Sequence, residues 1–267
     1  MSAPLSTVVQ HLHDIAPLEL AAEWDNVGLL LQPSHRQRVA RILLAIDLTD
    51  AVADEAIRAG AQLVVAYHPP IFTLLRRLPG DRLVRLIEKR VAVYSPHTAL
   101  DAAAGGVNDW LASGLGASDW SAIEPAASST QGATPRVGQG RLVTLSRSSS
   151  LAAITRRVKQ RLGLRWVRVA AAAAHRDGGR IRRIALCAGA GGAVVTRAAA
   201  ADLYLTGEMR HHDILAANAR GTSVILTDHS HSERGYLAEL RRELRARLGP
   251  TVDVVISRTD REPLATR

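Results

Sequence analysis

The chain has 267 residues, 47% of them apolar and 3% aromatic, and a formal net charge of +9. That length suits one large domain or two modest lobes, and the apolar share is ordinary for a globular protein, which excludes a disordered or fibrous chain. A single cysteine, Cys187, excludes a disulfide framework and points to a reducing cytoplasm, and no apolar run reaches the roughly 18 residues needed to span a bilayer.

The first elements are legible in chain order. A helix is expected over Thr7–Ile15, capped by Ser6 and stopped by Pro17. Short strands follow at Val27–Leu31 and Arg41–Ile46. Asp50 or Thr49 caps a helix that runs to Ala59. Gln62–Ala66 reads as a buried strand, Asp81–Arg90 as a helix, Val91–Tyr94 as a strand, and Gly105–Ala112 as a further helix. Ser, Ala, Gly and Pro then dominate from Ala117 to Gly140. Long structureless loops are uncommon inside compact domains, so residues 118–140 are expected to connect a first lobe, 1–117, to a second, 141–267.

In the second half, Leu151–Leu162 is a helix, and Arg165–Val169 and Arg183–Cys187 are strands. Gly189-Ala190-Gly191-Gly192 leads into a helix over Ala193–Ala201. This loop suits either tight strand-to-helix packing or a phosphate at a helix N-terminus, although it lacks the full dinucleotide or Walker pattern. Leu203–Leu205, His211–Ala219, Ser223–Leu226, Ser232–Leu248 and Val252–Ile256 follow as strand, helix, strand, helix and strand. The halves resemble each other: Ala61–His68 aligns with Ala201–Glu208, and Val91–Asp101 with Thr222–Glu233. Internal repetition of this kind places the same strand ends in equivalent positions of two α/β lobes.

Those strand ends carry the chemistry. Tyr67-His68-Pro69-Pro70 follows one strand, and His97 and Asp101 another. His211-His212-Asp213 and the pair His229 and Glu233 follow two more. Six of the ten histidines fall at such ends, and open α/β sheets bind ligands outside the carboxyl ends of their strands. At a helix start, His229 and Glu233 share one face, as do His97 and Asp101, because residues four apart are neighbours. Histidine nitrogen with carboxylate oxygen suits zinc, iron or manganese. Glu23-Trp24-Asp25-Asn26-Val27-Gly28 reads as a structural turn near the mouth of the site.

The positive charge is almost all arginine, with lysine only at Lys89 and Lys159. Arginine suits phosphate and nucleic acid. Here it is dispersed, and GC-rich codon usage would enrich Ala, Arg and Gly together, so nucleic-acid binding rests on charge alone. Met1-Ser2-Ala3-Pro4 lacks the cationic and apolar regions of a secretory signal.

The segments Glu23–Leu29, Tyr67–Phe72, Tyr94–Ala103, Cys187–Gly192, Leu205–Asp213, His229–Gly235 and Ser257–Leu264 together resemble the NIF-three-like family, also called GTP cyclohydrolase type 2 homologs. The resemblance runs from about Leu5 to Leu264. It implies two intertwined, pseudo-repeated α/β lobes with mixed sheets and a dinuclear metal centre between them. It also implies ring-like homo-oligomers, often hexamers. Carried over, His68, Asp101, His229 and Glu233 are metal ligands. Tyr67 stands where many bacterial members have a first histidine, and with His97 it completes the candidate metal set. A phenol is a weaker ligand than imidazole near neutral pH, so one of two metal positions is expected to be the weaker.

The activity expected from the resemblance is hydrolysis of a nucleotide or another phosphorylated small molecule by a metal-dependent enzyme, with Glu208, His211 and His212 as catalytic candidates. The alternative is a metal-binding regulatory scaffold, since family members are also described as partners of transcription factors.

Overall fold

The computed structural model describes residues 2–35, 37–78, 81–127, 136–198 and 200–264. The chain forms two compact units, the first from Met1–Leu100 with Tyr236–Arg267, the second from Asp101–Gly235. The expected division at residues 118–140 is therefore corrected. The boundary falls at Leu100, and the C-terminal segment returns to the first unit.

The first unit contains β1 (Ala3–Pro4), α1 (Leu5–Ile15), β2 (Gly28–Leu31), β3 (Arg38–Val39), β4 (Arg41–Ala45), α2 (Asp50–Arg58), β5 (Leu63–Ala66), α3 (Arg82–Glu88) and β6 (Ala92–Ser95). Helix α4 (His97–Ala102) carries the chain out of it, and α11 (Leu237–Leu248) and β13 (Asp253–Ile256) complete it. Its main sheet has the order β13-β4-β5-β6-β2, parallel except for the antiparallel edge β2. Every residue of β5 and β6 is buried. That is what strands covered on both faces require, and it is why they read as continuous apolar runs. Val52, Ala53 and Ala56 of α2 pack in one apolar cluster with Leu43, Val64 and Val93.

The second unit contains α5 (Val107–Ser113), β7 (Ala117–Pro125), β8 (Gly138–Ser149), α6 (Leu151–Leu162), β9 (Arg168–Ala170) and α7 (Ala173–Arg176). It continues with β10 (Ile181–Cys187), α8 (Gly192–Val195), β11 (Leu203–Thr206), α9 (His211–Ala219), β12 (Ser223–Leu226) and α10 (His231–Arg234). The sheet order is β7-β8-β10-β11-β12-β9. Strands β10, β11 and β12 run parallel, and β9 is an antiparallel edge. This repeats β4, β5, β6 and their antiparallel edge β2, so the internal repetition is present in the topology.

Several local expectations are corrected. The segment expected as an exposed connection supplies β7 and the start of β8, which pair with each other, while residues 128–135 lie outside the described residues. Helix α1 begins at Leu5 rather than after Ser6, its start tied by the Leu5 N–H to the Gln37 carbonyl (2.9 Å). Of the two cap candidates for α2, Thr49 takes the role, its hydroxyl accepting from the Val52 N–H. The helix expected over Ala193–Ala201 is only the short α8. A single helix over Ser232–Leu248 is replaced by α10 and α11. Gly235 separates them, and a Cβ there would lie 2.5 Å from the Trp110 ring.

Candidate metal centre

In the first unit, backbone pairing continues past β5. The Tyr67 N–H donates to the Ala45 carbonyl and the His68 N–H to that of Ile46, at 2.9 and 3.0 Å. This holds His68 beside Asp47, the residue two past β4. The His68 Nδ1–H donates to Asp47 Oδ1 at 2.9 Å, since an ionised carboxylate can only accept. That bond fixes the tautomer and leaves Nε2 as the basic nitrogen, the arrangement in which a carboxylate orients a metal-binding histidine.

His97 is held in the same way. Its Nδ1 lies 2.8 and 2.9 Å from the two Asp25 oxygens. Asp25 also accepts from the N–H of Asn26 and from the N–H and hydroxyl of Thr98. Burial pushes the Asp25 carboxyl up, but the bonds from His97 and Thr98 outweigh it and hold the group below the ordinary aspartate range. The His68 and His97 rings stand 5.4 Å apart, and the Tyr67 ring, almost wholly buried, lies 5.2 and 5.8 Å from them.

In the second unit Gly189, Glu208 and His229 follow shortly after the ends of the parallel strands β10, β11 and β12. His229 Nε2 lies 3.5 Å from Glu233 Oε1, and its Nδ1 lies 3.5 Å from Glu208 Oε2. Glu233 is buried. Gly189, at φ +61°, makes the room: a Cβ there would come within 2.5 Å of Glu233 Oε1 and 3.1 Å of His229 Nε2. The Gly189 N–H donates to Ser232 Oγ, whose hydroxyl donates to the His229 carbonyl. The glycine loop therefore serves the His229–Glu233 pair. Only four residues of helix follow it, so it forms no phosphate-binding helix terminus.

The remaining expected residues fall in different settings. Asp101 is half-buried in α4. Its carbonyl accepts from Asn108 Nδ2, and Asn108 Oδ1 accepts from the Ala188 N–H in the turn before Gly189. His211 and His212 stand exposed in the first turn of α9 with their rings 5.4 Å apart. Burial, then the Asp101 charge, pushes the Cys187 thiol up. Within the second unit His229 and Glu233 present a nitrogen and a carboxylate oxygen side by side, and in the first unit His68 offers an imidazole nitrogen suited to the same kind of ion. The donor set is imidazole with carboxylate, which fits a divalent ion such as zinc, iron or manganese.

Reading the sequence alone missed Asp25 and Asp47 as the carboxylates behind the two histidines. A signal for Asp47 was present: it follows β4 at the same carboxyl edge at which His68 follows β5.

The profile of the Duf34/NIF3 (NGG1p interacting factor 3) family matches residues 3–263, and the chain belongs to that family. It is 40% identical to the protein NIF3 homolog of Schizosaccharomyces pombe, over all of this chain and 98% of that protein. With rat NIF3-like protein 1 the identity is 35%, covering 97% and 92%. The fold matches a NIF3-related protein from Bacillus cereus with a TM-score of 0.83 and 21% identity, covering 99% of both chains. It also matches reduced HcgD from Methanocaldococcus jannaschii with a TM-score of 0.81 and 21% identity, covering 96% and 98%.

Proposed function

We propose that the protein is a metal-dependent hydrolase acting on a nucleotide or another phosphorylated small molecule. His68, Asp101, His229 and Glu233 are its metal ligands, and Tyr67 and His97 lie at a weaker second position. The observation that carries this reading is the room Gly189 leaves for His229 and the buried Glu233. A bound divalent ion supplies Lewis acidity toward a substrate oxygen. The chain supplies orientation and proton handling. Asp47 aims His68, Asp25 aims His97, and Glu208, half-exposed at His229 Nδ1, is the residue placed to hold or pass a proton. A cleft of about 610 Å³ beside Glu208, lined also by Arg168, Ala190, Gly192, Arg210 and Asp213, offers a substrate space and guanidinium groups. His211 and His212 remain proton-transfer candidates at the start of α9.

The second reading is a regulatory scaffold. The Saccharomyces cerevisiae relative, 38% identical, is named NGG1-interacting factor 3. Among the described residues no helix is long and apolar enough to cross a membrane. We place the protein in the cytoplasm, as a closed homo-oligomer such as a hexamer.

One experiment separates the readings. Elemental analysis should find a divalent transition metal in the purified protein and less of it in His229→Ala and Glu233→Ala, and the metal-replete protein should turn over a member of a nucleotide and phosphoester panel. Unchanged metal in both variants removes the metal site. Absence of turnover, with oligomer or partner binding lost on metal removal, leaves the scaffold.

A further inference from the structure

Two large aromatic side chains in the first unit stand in the open. Trp24 is 64% and Phe72 56% exposed, where large apolar groups are ordinarily covered. They touch each other, ring centroids 5.8 Å apart, and both stand nearly edge-on to His97, at 6.1 and 6.3 Å. Neither sits on a loose loop. Trp24 precedes Asp25, which is anchored by His97 and Thr98, and Phe72 follows Ile71, whose carbonyl accepts from Asn26 Nδ2 at 2.6 Å. The two turns are thus laced together, and each carries its ring at the surface. The same His97 ring is contacted on other sides by Tyr67 and His68.

We propose that Trp24 and Phe72 form a stacking face for a planar nitrogen heterocycle, so that the substrate of the site proposed above carries such a ring, as a nucleotide does. This inference rests on that reading for its location. Aromatic faces accept any nucleobase because every base has a π-face, and removing one such contact is worth a large factor in affinity. An indole has only two side-chain torsions to order, so it costs little entropy to use, which favours it over a longer flexible side chain as a recognition surface. Trp24 and Phe72 are specificity-determining here. Proton transfer and metal binding belong to other residues.

The test measures equilibrium binding of guanosine 5′-monophosphate, adenosine 5′-monophosphate and ribose 5-phosphate to the full-length protein as purified. Binding is followed by calorimetry, with light scattering reporting the assembly state. Trp24→Ala should weaken both nucleotides about tenfold or more, Trp24→Phe should restore most of that affinity, and ribose 5-phosphate should be unaffected by either change. Phe72→Ala should act in the same direction. Nucleotide binding with this pattern, but without turnover of any member of the nucleotide and phosphoester panel, supports the stacking face while sinking the hydrolase reading. Equal affinity for ribose 5-phosphate and the nucleotides, indifferent to Trp24→Ala, overturns the stacking face and leaves the hydrolase reading to its own test. A change in assembly with unaltered nucleotide affinity also overturns it, and makes these rings a contact between copies of the chain.

Discussion

At the scale of single residues, the histidines are only half of the design, because carboxylates decide what the imidazoles can do. Asp47 and Asp25 each accept a hydrogen bond from the Nδ1–H of one histidine, and Glu208 stands at Nδ1 of a third. These partners were hard to read from sequence because His97 and Asp25 are 72 residues apart. The histidines themselves were legible, since each follows a continuous apolar strand. If Glu208 moves a proton during turnover, Glu208→Gln should lower the rate by about 10²–10⁴-fold with metal content intact, as rate assays beside elemental analysis would show. Another carboxylate, Glu55, works for the fold. Burial pushes it up, but bonds from Ser257 Oγ, the Arg258 N–H and Thr259 outweigh this and bring its pKa to about 2 from the usual 4.5. A carboxyl depressed on folding contributes stability that is whole above its unfolded value and fades as pH falls through its folded one. Urea unfolding of Glu55→Gln should therefore show a deficit at pH 6 that shrinks steadily toward pH 2, and a deficit constant across that window would refute the assignment. The group is only partly buried, so the effect is expected to be modest.

At the scale of elements, the strands buried on both faces, such as β5, β6, β11 and β12, were legible as continuous apolar runs. Helix α6 was legible at both ends because its signals are local: Ser150 accepts from the Ala153 N–H at one end, and Gly163 adopts φ +66° at the other. The hairpin of β7 and β8 was not, since its Ser-, Gly- and Ala-rich segments are strands only by virtue of pairing with each other and with β10. The turn after β10 shows the same dependence on distant partners. Gly189 answers to residues near position 230, and Gly207 is confined likewise, for a Cβ on it would meet the Gly189 carbonyl at 2.6 Å. Gly189→Ala should consequently displace Glu233 and His229 and lower metal content as much as Glu233→Ala does, while circular dichroism shows the sheet still formed. Full metal occupancy in that variant would mean the turn is there for packing alone.

For the molecule as a whole, the repeat was legible and the bounds of its halves were not. The repeat is written in local runs of apolar residues and histidines, whereas membership of a unit is settled by long-range pairing. Strand β13 lies parallel to β4 in the first sheet, and Asp260 accepts from the Ile46 N–H at 2.7 Å, in the turn that also presents Asp47. A chain ending at residue 235 should therefore keep a folded second unit and lose the first. Hydrogen exchange should show protection confined to residues 101–235, and protection of β4 and β5 in that fragment would contradict it.

That returning C-terminal segment has a consequence for the newborn chain. Synthesis runs from the N-terminus at about 5–20 residues per second, and domains ordinarily close in the order they emerge. Here the order is reversed: the second unit is complete as soon as Gly235 has left the ribosome, while the first must wait for β13. For those seconds β4 presents an open, apolar edge, the kind of surface that chaperones shield and that pairs with neighbouring chains when crowded.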